Sequence, residues 1–255
     1  MVKPKTQTSP RYSAPALEKG LDILEMLADQ PNGLTQGELA GRLGRSASEI
    51  FRMLASLERR GYIRRAKPDE LYFLTLRLFD LAHRHPPAKR LLAAALPIMQ
   101  SLAAEAEQSC HLAVPYDEQV LIVAQLDSPA PLGLTVRLGA QFPMATTASG
   151  LVLLAYQEPS LSADSEQLSQ RLERIRNRGY EQCASLQTHG VTDLSSPIFD
   201  HAGTVVAALT VPCLLEPGRR SRLKNVRERV TAAAGLVSEA LGGGAKSQIA
   251  RILYE

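Results

Sequence analysis

Residues 34–75 read LTQGELAGRLGRSASEIFRMLASLERRGYIRRAKPDELYFLT, and two capping boxes organise the stretch. In Thr35-Gln36-Gly37-Glu38 a hydroxyl and a carboxylate three residues apart can each satisfy an orphan amide of a helix start, with Leu34 and Leu39 as a flanking hydrophobic staple. Ser46-Ala47-Ser48-Glu49 repeats the pattern for a second helix. Gly44 and Gly61 stand where these two helices must stop. The second helix has Ile50, Leu54 and Leu57 on its inner face and Ser48, Arg52, Ala55/Ser56 and Arg59 outside. Residues 62–65 then read as a strand, 67–70 as a turn and 71–74 as the return strand. A short helix, a tight turn, a longer helix and a hairpin make a winged helix-turn-helix, whose second helix enters the major groove. Upstream, Leu17, Leu21, Leu24 and Leu27 lie at helical spacing in residues 16–29, which predicts a first helix with one buried stripe, broken at Pro31-Asn32-Gly33.

Charge points the same way. The chain has 29 Lys and Arg against 26 Asp and Glu, a net of +3. Residues 1–85 hold 14 of those cations and 10 of those anions, leaving 15 against 16 in the remainder. Within residues 42–67, eight cations face only Glu49 and Glu58. A charge run alone is usually a solvated helix face; on a helix-turn-helix with a wing it becomes the footprint of a phosphate-backbone binder. Small residues at Ser46, Ala47 and Ser48 let the backbone approach base edges, and Arg52, one turn on, has the fork that reads guanine. Glu49 is either committed to the cap or accepts from a cytosine amine. Arg45, Arg64, Arg65 and Lys67 are assigned to phosphates, and Thr35 and Gln36 complete the DNA-binding set.

Other properties bound the class. At 255 residues two domains are expected, and 45% apolar with 22% charged residues is a globular composition. No apolar run approaches the roughly 20 residues a membrane helix needs, so no membrane partner is expected. Residues 1–14 read as a disordered arm, without the apolar core of a secretory signal. Cys110, Cys183 and Cys213 are odd in number and widely spaced, arguing against disulfides or zinc and for a reducing cytoplasm.

Thr75 caps a further helix, 76–85, and an apolar stripe from Leu91 to Leu102 continues the helical pattern, with Pro97 expected to kink or restart it. The apolar face of these helices suits a dimer surface or a core. From Cys110 the period changes: strands at 110–114, 119–124 and 132–138, helices at 147–156 and 164–178, a hairpin of 191–199 with 204–213, and a last helix over 218–241. Strands with segregated helices indicate an α+β domain on an antiparallel sheet. No G-x-S-x-G, H-E-x-x-H, G-x-G-x-x-G or Walker loop occurs. GGGAKS at 242–247 lacks the phosphate-loop spacing, and His83-x-His85 reads as a solvated pair. No cofactor or metal is expected.

The winged module, together with LGAQFPMATTASG at 138–150, Arg178-Gly179-Tyr180, and Gly190-Val191 leading to SPIFD at 196–200, Gly203 and AALT at 207–210, resembles the IclR family of bacterial regulators over residues 15–240. The resemblance implies an N-terminal winged helix-turn-helix (15–77), a linker helix (78–100) and a C-terminal GAF-like effector and oligomerisation domain (101–255). It implies a cytoplasmic repressor of catabolic or transport genes, acting as a homodimer or dimer of dimers on a palindromic operator in double-stranded DNA and answering to a small organic-acid effector. An activator is the alternative within the family; an enzyme using Cys110 or Cys213 with His111 is the alternative outside it. The family's effector pocket carries over to Thr146, Thr147, Ala148 and Ser149 at a helix start, and to Asp193, Thr210 and Pro212 on strands, with His111 joining them. A helix N-terminus is an anion site by its own physics, although Thr147 and Ser149 also read as plain caps. The chain departs from the family at Leu151, where lysine is common, at Pro212, and in the absence of acidic residues over 183–189.

Overall fold

A computed structural model describes residues 14–84, 86–131, 133–157, 166–214 and 220–243. The disordered-arm expectation for residues 1–13, the His85 member of the histidine pair and residues 244–247 of the glycine run fall outside these. The chain divides into two compact units, one ending at Pro86 and the other beginning at Pro87.

The first unit contains α1 (Pro15–Ala28), α2 (Gln36–Arg42), α3 (Ala47–Arg59), the hairpin β1 (Ile63–Ala66) and β2 (Leu71–Leu74), and α4 (Arg77–His83). Both capping boxes form. The Glu38 amide donates to Thr35 Oγ1 at 3.2 Å, and Glu38 Oε2 accepts from the Thr35 amide at 2.8 Å. The Ser46–Glu49 pair repeats this at 3.4 and 2.9 Å. Gly44 and Gly61 take the left-handed φ, +62° and +75°, that ends each helix. Leu34 and Leu39 are buried with Ile23, Leu27, Ile50, Leu54, Ile63 and Tyr72 in one core. Leu34 also exchanges backbone hydrogen bonds with Tyr72, which ties the entry of α2 to the wing. The single buried stripe expected on α1 is corrected. Ile23 and Leu27 carry the core, whereas Leu17 and Leu21 are 63% and 48% exposed. A helix with apolar residues at 17, 21 and 24 and again at 23 and 27 has two apolar faces, and this unit's core covers one.

The second unit contains α5 (Pro86–Ala106), β3 (Cys110–Tyr116), β4 (Gln119–Leu126), β5 (Gln141–Pro143), a 3₁₀ turn (Met144–Thr146), α6 (Ala148–Tyr156), α7 (Glu166–Arg178), β6 (Glu181–Ala184), β7 (Val191–Phe199), β8 (Val205–Leu214) and α8 (Arg220–Ala240). The strands form one antiparallel sheet in the order β5-β4-β3-β8-β7-β6. Alternation along the strands gives it two apolar faces. Leu112, Leu194, Ile198, Leu209 and Val211 pack with Leu91, Ala95 and Met99 of α5 and Val226, Val230 and Val237 of α8. Ala113, Ile122 and Ala208 pack with Leu151, Val152 and Leu153 of α6 and Ile175 of α7. The α+β architecture expected from the sequence is the observed one.

Two features of this unit differ from the sequence expectation, and the alternative at Pro97 is narrowed: helix α5 continues through it without a restart. Residues 133–138 form no strand; Ser109 Oγ donates to the Leu134 carbonyl and Thr135 Oγ1 to Asp127 Oδ1 at 2.9 Å, holding the segment as an irregular cover, and the edge strand is β5. Strand β6 was not anticipated: four residues, Glu-Gln-Cys-Ala, carry no alternation that sequence alone can register.

Candidate nucleic-acid interface and ligand cavity

The outer face of α3 presents Ser48, Phe51, Arg52 and Ala55 to solvent. Around its N-terminus the polar groups are already engaged. Glu49 accepts from the Ser46 amide and hydroxyl, both at 2.9 Å, and from Lys19 Nζ at 3.2 Å. These hydrogen bonds hold its carboxyl down at about 2. Gln36 Nε2 donates to the Ala47 carbonyl at 2.9 Å and so fixes the start of α3 against α2. The Thr35 hydroxyl belongs to its cap. Arg45 and Arg52 are exposed, and neither guanidinium has an ion-pair partner among the described residues.

On the wing, Arg64 stacks over Phe73 at 4.5 Å, and Arg65 lies over Tyr72 at 5.6 Å and pairs with Glu70. Lys67 is exposed in the turn. The Arg65–Glu70 pair is a surface one, worth about 0–1 kcal/mol, so a phosphate can replace it at small cost. Phe51 is 54% exposed on the outer face of α3. The sequence reading passed over it because a phenylalanine in a helical stripe defaults to the core. The available signal was its place at i+3 from Ser48 and beside Arg52.

In the second unit, a cavity of about 110 Å³ lies between the sheet and the start of α6. Its sheet wall is built by register: His111 on β3 opposes Thr210 on β8, Thr210 opposes Ser195 on β7, and Asp193 sits two residues along from Ser195, opposite Pro212. All project from the face that α6 covers. Thr210 Oγ1 donates to Ser195 Oγ at 2.8 Å. Thr147, Ala148 and Ser149 supply the helix wall, Phe142 and the 134–136 segment close one side, and Ser185, Gln187, Thr188 and Val191 the other.

Helix α6 can approach the sheet this closely because residue 150 is glycine: a Cβ there would lie 2.2 Å from the Met144 carbonyl oxygen. Thr147 caps the helix, its Oγ1 accepting from the Gly150 amide at 3.1 Å. The amides of Ala148 and Ser149, the first two helical positions, have no intrahelical acceptor and belong to buried residues. Among the described lining residues there is no Lys or Arg. Burial pushes His111 down to about 4, so its imidazole is neutral, and its Nδ1 has no hydrogen-bond partner. Burial likewise raises the Asp193 carboxyl above the usual range, opposed by a hydrogen bond from Ser185.

Of the effector residues expected from the sequence, His111, Thr147, Ala148, Ser149, Asp193 and Thr210 line this one cavity, together with Pro212. Thr146 does not; it is exposed and its hydroxyl donates to the Pro143 carbonyl at 3.3 Å. Ser185, Gln187 and Thr188 were missed because a loop reaches the cavity through tertiary folding, which leaves no periodicity to read.

Residues 16–67 match the IclR helix-turn-helix domain, and residues 88–163 and 159–239 match the C-terminal domain of bacterial IclR transcriptional regulators. The HTH-type transcriptional regulator KdgR of Escherichia coli K12 is 26% identical over 248 residues, covering 90% of this chain and 94% of KdgR. The HTH-type transcriptional repressor AllR of Salmonella typhi is 24% identical over 260 residues, covering 93% and 94%. Among solved structures, an IclR homologue from Microbacterium hydrocarbonoxydans complexed with 4-hydroxybenzoate superposes with a TM-score of 0.75 at 23% identity, covering 90% of this chain and all of that one.

Proposed function

The chain belongs to the IclR family of bacterial transcriptional regulators, and from that premise we propose that it is a cytoplasmic repressor of catabolic or transport genes, controlled by a small organic acid. The observation that carries the effector half is the cavity at the N-terminus of α6, where the unpartnered amides of two buried residues, beside the Ser149 hydroxyl, face a space large enough for a small molecule. The fold neighbour crystallised with 4-hydroxybenzoate, a carboxylate, supports that class. On the DNA side, Ser48, Phe51 and Arg52 contact bases, with the serine of the cap, Ser46, close behind; Arg45, Arg64, Arg65 and Lys67 hold phosphates. Gln36 fixes the start of α3 against α2 through the Ala47 carbonyl, and Thr35 and Glu49, engaged in their caps, lie at the edge of the DNA-binding surface.

Self-association completes the reading. An apolar groove of about 350 Å³ on the first unit is lined by Leu17, Leu21 and Leu24 of α1, Met53 and Leu57 of α3, and Leu78 and Leu81 of α4. Covering it with a second copy gives the two-fold arrangement that a palindromic operator requires. Sedimentation of wild type and Leu21→Asp tests this: the variant is expected to shift toward monomer and lose operator affinity, and an unchanged dimer would remove the groove from that role. Regulation without catalysis is supported by the cysteines. Cys110 is buried against α5, its thiol pushed up to about 12, on the sheet face opposite His111. Cys213 is also buried there.

A thermal-shift screen against small carboxylates, followed by operator binding with and without each hit, tests the whole. Hits should raise the melting temperature and change operator affinity. A compound that stabilises the protein in this cavity yet leaves DNA binding untouched sinks the sensor assignment. Repressor and activator separate by transcription from a reporter carrying the operator.

A further inference from the structure

We propose that the cavity takes a compact hydroxylated monocarboxylate of three or four carbons, with its carboxylate at the α6 amides and its hydroxyls on the sheet wall at His111 Nδ1 and Asp193. The inference rests on the carboxylate reading above and adds what the opposite wall recognises.

Size comes first. At about 110 Å³ the space is smaller than the roughly 150 Å³ apolar cavity that admits benzene, so it suits a compact acyclic ligand and an aromatic acid overfills it. Charge comes second. Among the described lining residues the anion has amide dipoles and hydroxyls to meet it and no cation, while Asp193 stands on the far wall. One carboxylate is accommodated at α6; a second would face Asp193 without a counter-charge.

The third observation is His111. Its side chain is 93% buried in the sense that 7% of its surface remains exposed, it lines the cavity, and its Nδ1 is paired with nothing. Buried polar atoms are normally hydrogen-bonded, so an unpaired one at a cavity wall marks where a ligand atom goes. Its neighbour in register does not serve it: Thr210 Oγ1 is hydrogen-bonded to Ser195 Oγ and makes no bond to Nδ1. A hydroxyl matches this wall from either tautomer of the neutral imidazole, accepting from Nδ1–H or donating to a bare Nδ1. The Asp193 carboxyl lines the same cavity and has lone pairs that a second ligand hydroxyl fills. A deoxy acid of the same length leaves the buried Nδ1 of His111 unpaired, and a site built to hydrogen-bond a hydroxyl discriminates strongly against such an analogue.

Calorimetric titration of the full chain with glycerate, lactate, propionate and glycerol tests this. Affinity is expected to rise from propionate through lactate to glycerate, by at least roughly tenfold over the series. His111→Leu should keep the fold, since it deletes an unpaired polar atom, and should compress the series to within about threefold. His111→Asn, which keeps a polar atom near the Nδ1 position, should retain most of the selectivity, and Asp193→Asn should lie between. Should the leucine variant not fold, the wild-type series and Asp193→Asn still decide. Equal binding of propionate and glycerate by wild type, or selectivity untouched by both variants, overturns the inference and leaves the carboxylate reading standing. Glycerol binding as tightly as glycerate overturns the carboxylate anchor and the inference together. No binding of any of the three acids, while larger carboxylates stabilise the protein, overturns the inference alone.

Discussion

At residue scale, two side chains on the same short helix illustrate how local chemistry divides labour. Glu49 and Arg52 are both exposed and both fit a base edge, yet Glu49 is held by Ser46 and Lys19 while Arg52 has no ion-pair partner among the described residues. Arg52→Ala is therefore expected to weaken operator binding by about 1–3 kcal/mol and relax discrimination at one base pair. Titrations against single-base operator variants measure this, and unchanged discrimination removes Arg52 from base contact. The cap that engages Glu49 was legible because a capping box is a three-residue pattern. The unpaired Nδ1 of His111 was not, because it depends on which strands flank β3. His111 carries a sign-definite pH effect. Its folded value, near 4, lies below the ordinary 6.5, so the neutral form is favoured by folding. The contribution is fully present above pH 6.5 and is lost as pH falls toward 4, as the unfolded chain takes up a proton that the folded chain refuses. The full loss is about 3 kcal/mol. Urea midpoints at pH 7 and 4.5 should converge in His111→Leu relative to wild type; an identical pH slope in the two proteins argues that His111 is not the group responsible.

At the scale of elements, what reads from sequence is what is written locally. Capped helices α2 and α3, the wing, and the β7–β8 hairpin around Asp200, whose carboxylate accepts from the Ala202 and Thr204 amides at 2.9 and 3.0 Å, all carry turn or cap residues at fixed offsets. The segment over 133–138 alternates like a strand, but tertiary hydrogen bonds from Ser109 and to Asp127 hold it over the cavity instead. Helix α6 falls between these cases. Its Thr147 cap is local, whereas its depth depends on Gly150, whose missing Cβ admits the Met144 carbonyl. Because the obstruction is backbone, no rotamer change relieves it. Gly150→Ala is expected to destabilise the protein by about 1–3 kcal/mol and to disturb the cavity that α6 lines. Denaturant unfolding measures the first, and a wild-type midpoint would show that the turn and helix separate more readily than their packing implies.

Across the whole molecule, charge is distributed by task. Residues 1–85 carry a net of +4 and the remainder −1, so the field that attracts a polyanion originates in the unit that bears the recognition helix. The cavity in the other unit has no described cation and selects by hydrogen bonding. DNA affinity should thus fall steeply with salt, while binding of a small neutral polyol or of an acid held by amide dipoles should change little. Within the DNA-binding unit, base-reading and phosphate-holding residues separate by the same measurement. Lys67 is exposed in the turn of the wing and has no ion-pair partner among the described residues, which suits the proposed phosphate contact. Lys67→Ala should weaken operator and unrelated DNA by the same factor, leaving their ratio intact, and should lower the slope of log affinity against log salt by about 1. Arg52→Ala should change the ratio. Titrations of both variants on operator and random duplex over a range of salt concentrations distinguish the two roles, and a Lys67→Ala slope equal to wild type would mean that the wing tip stays clear of the backbone.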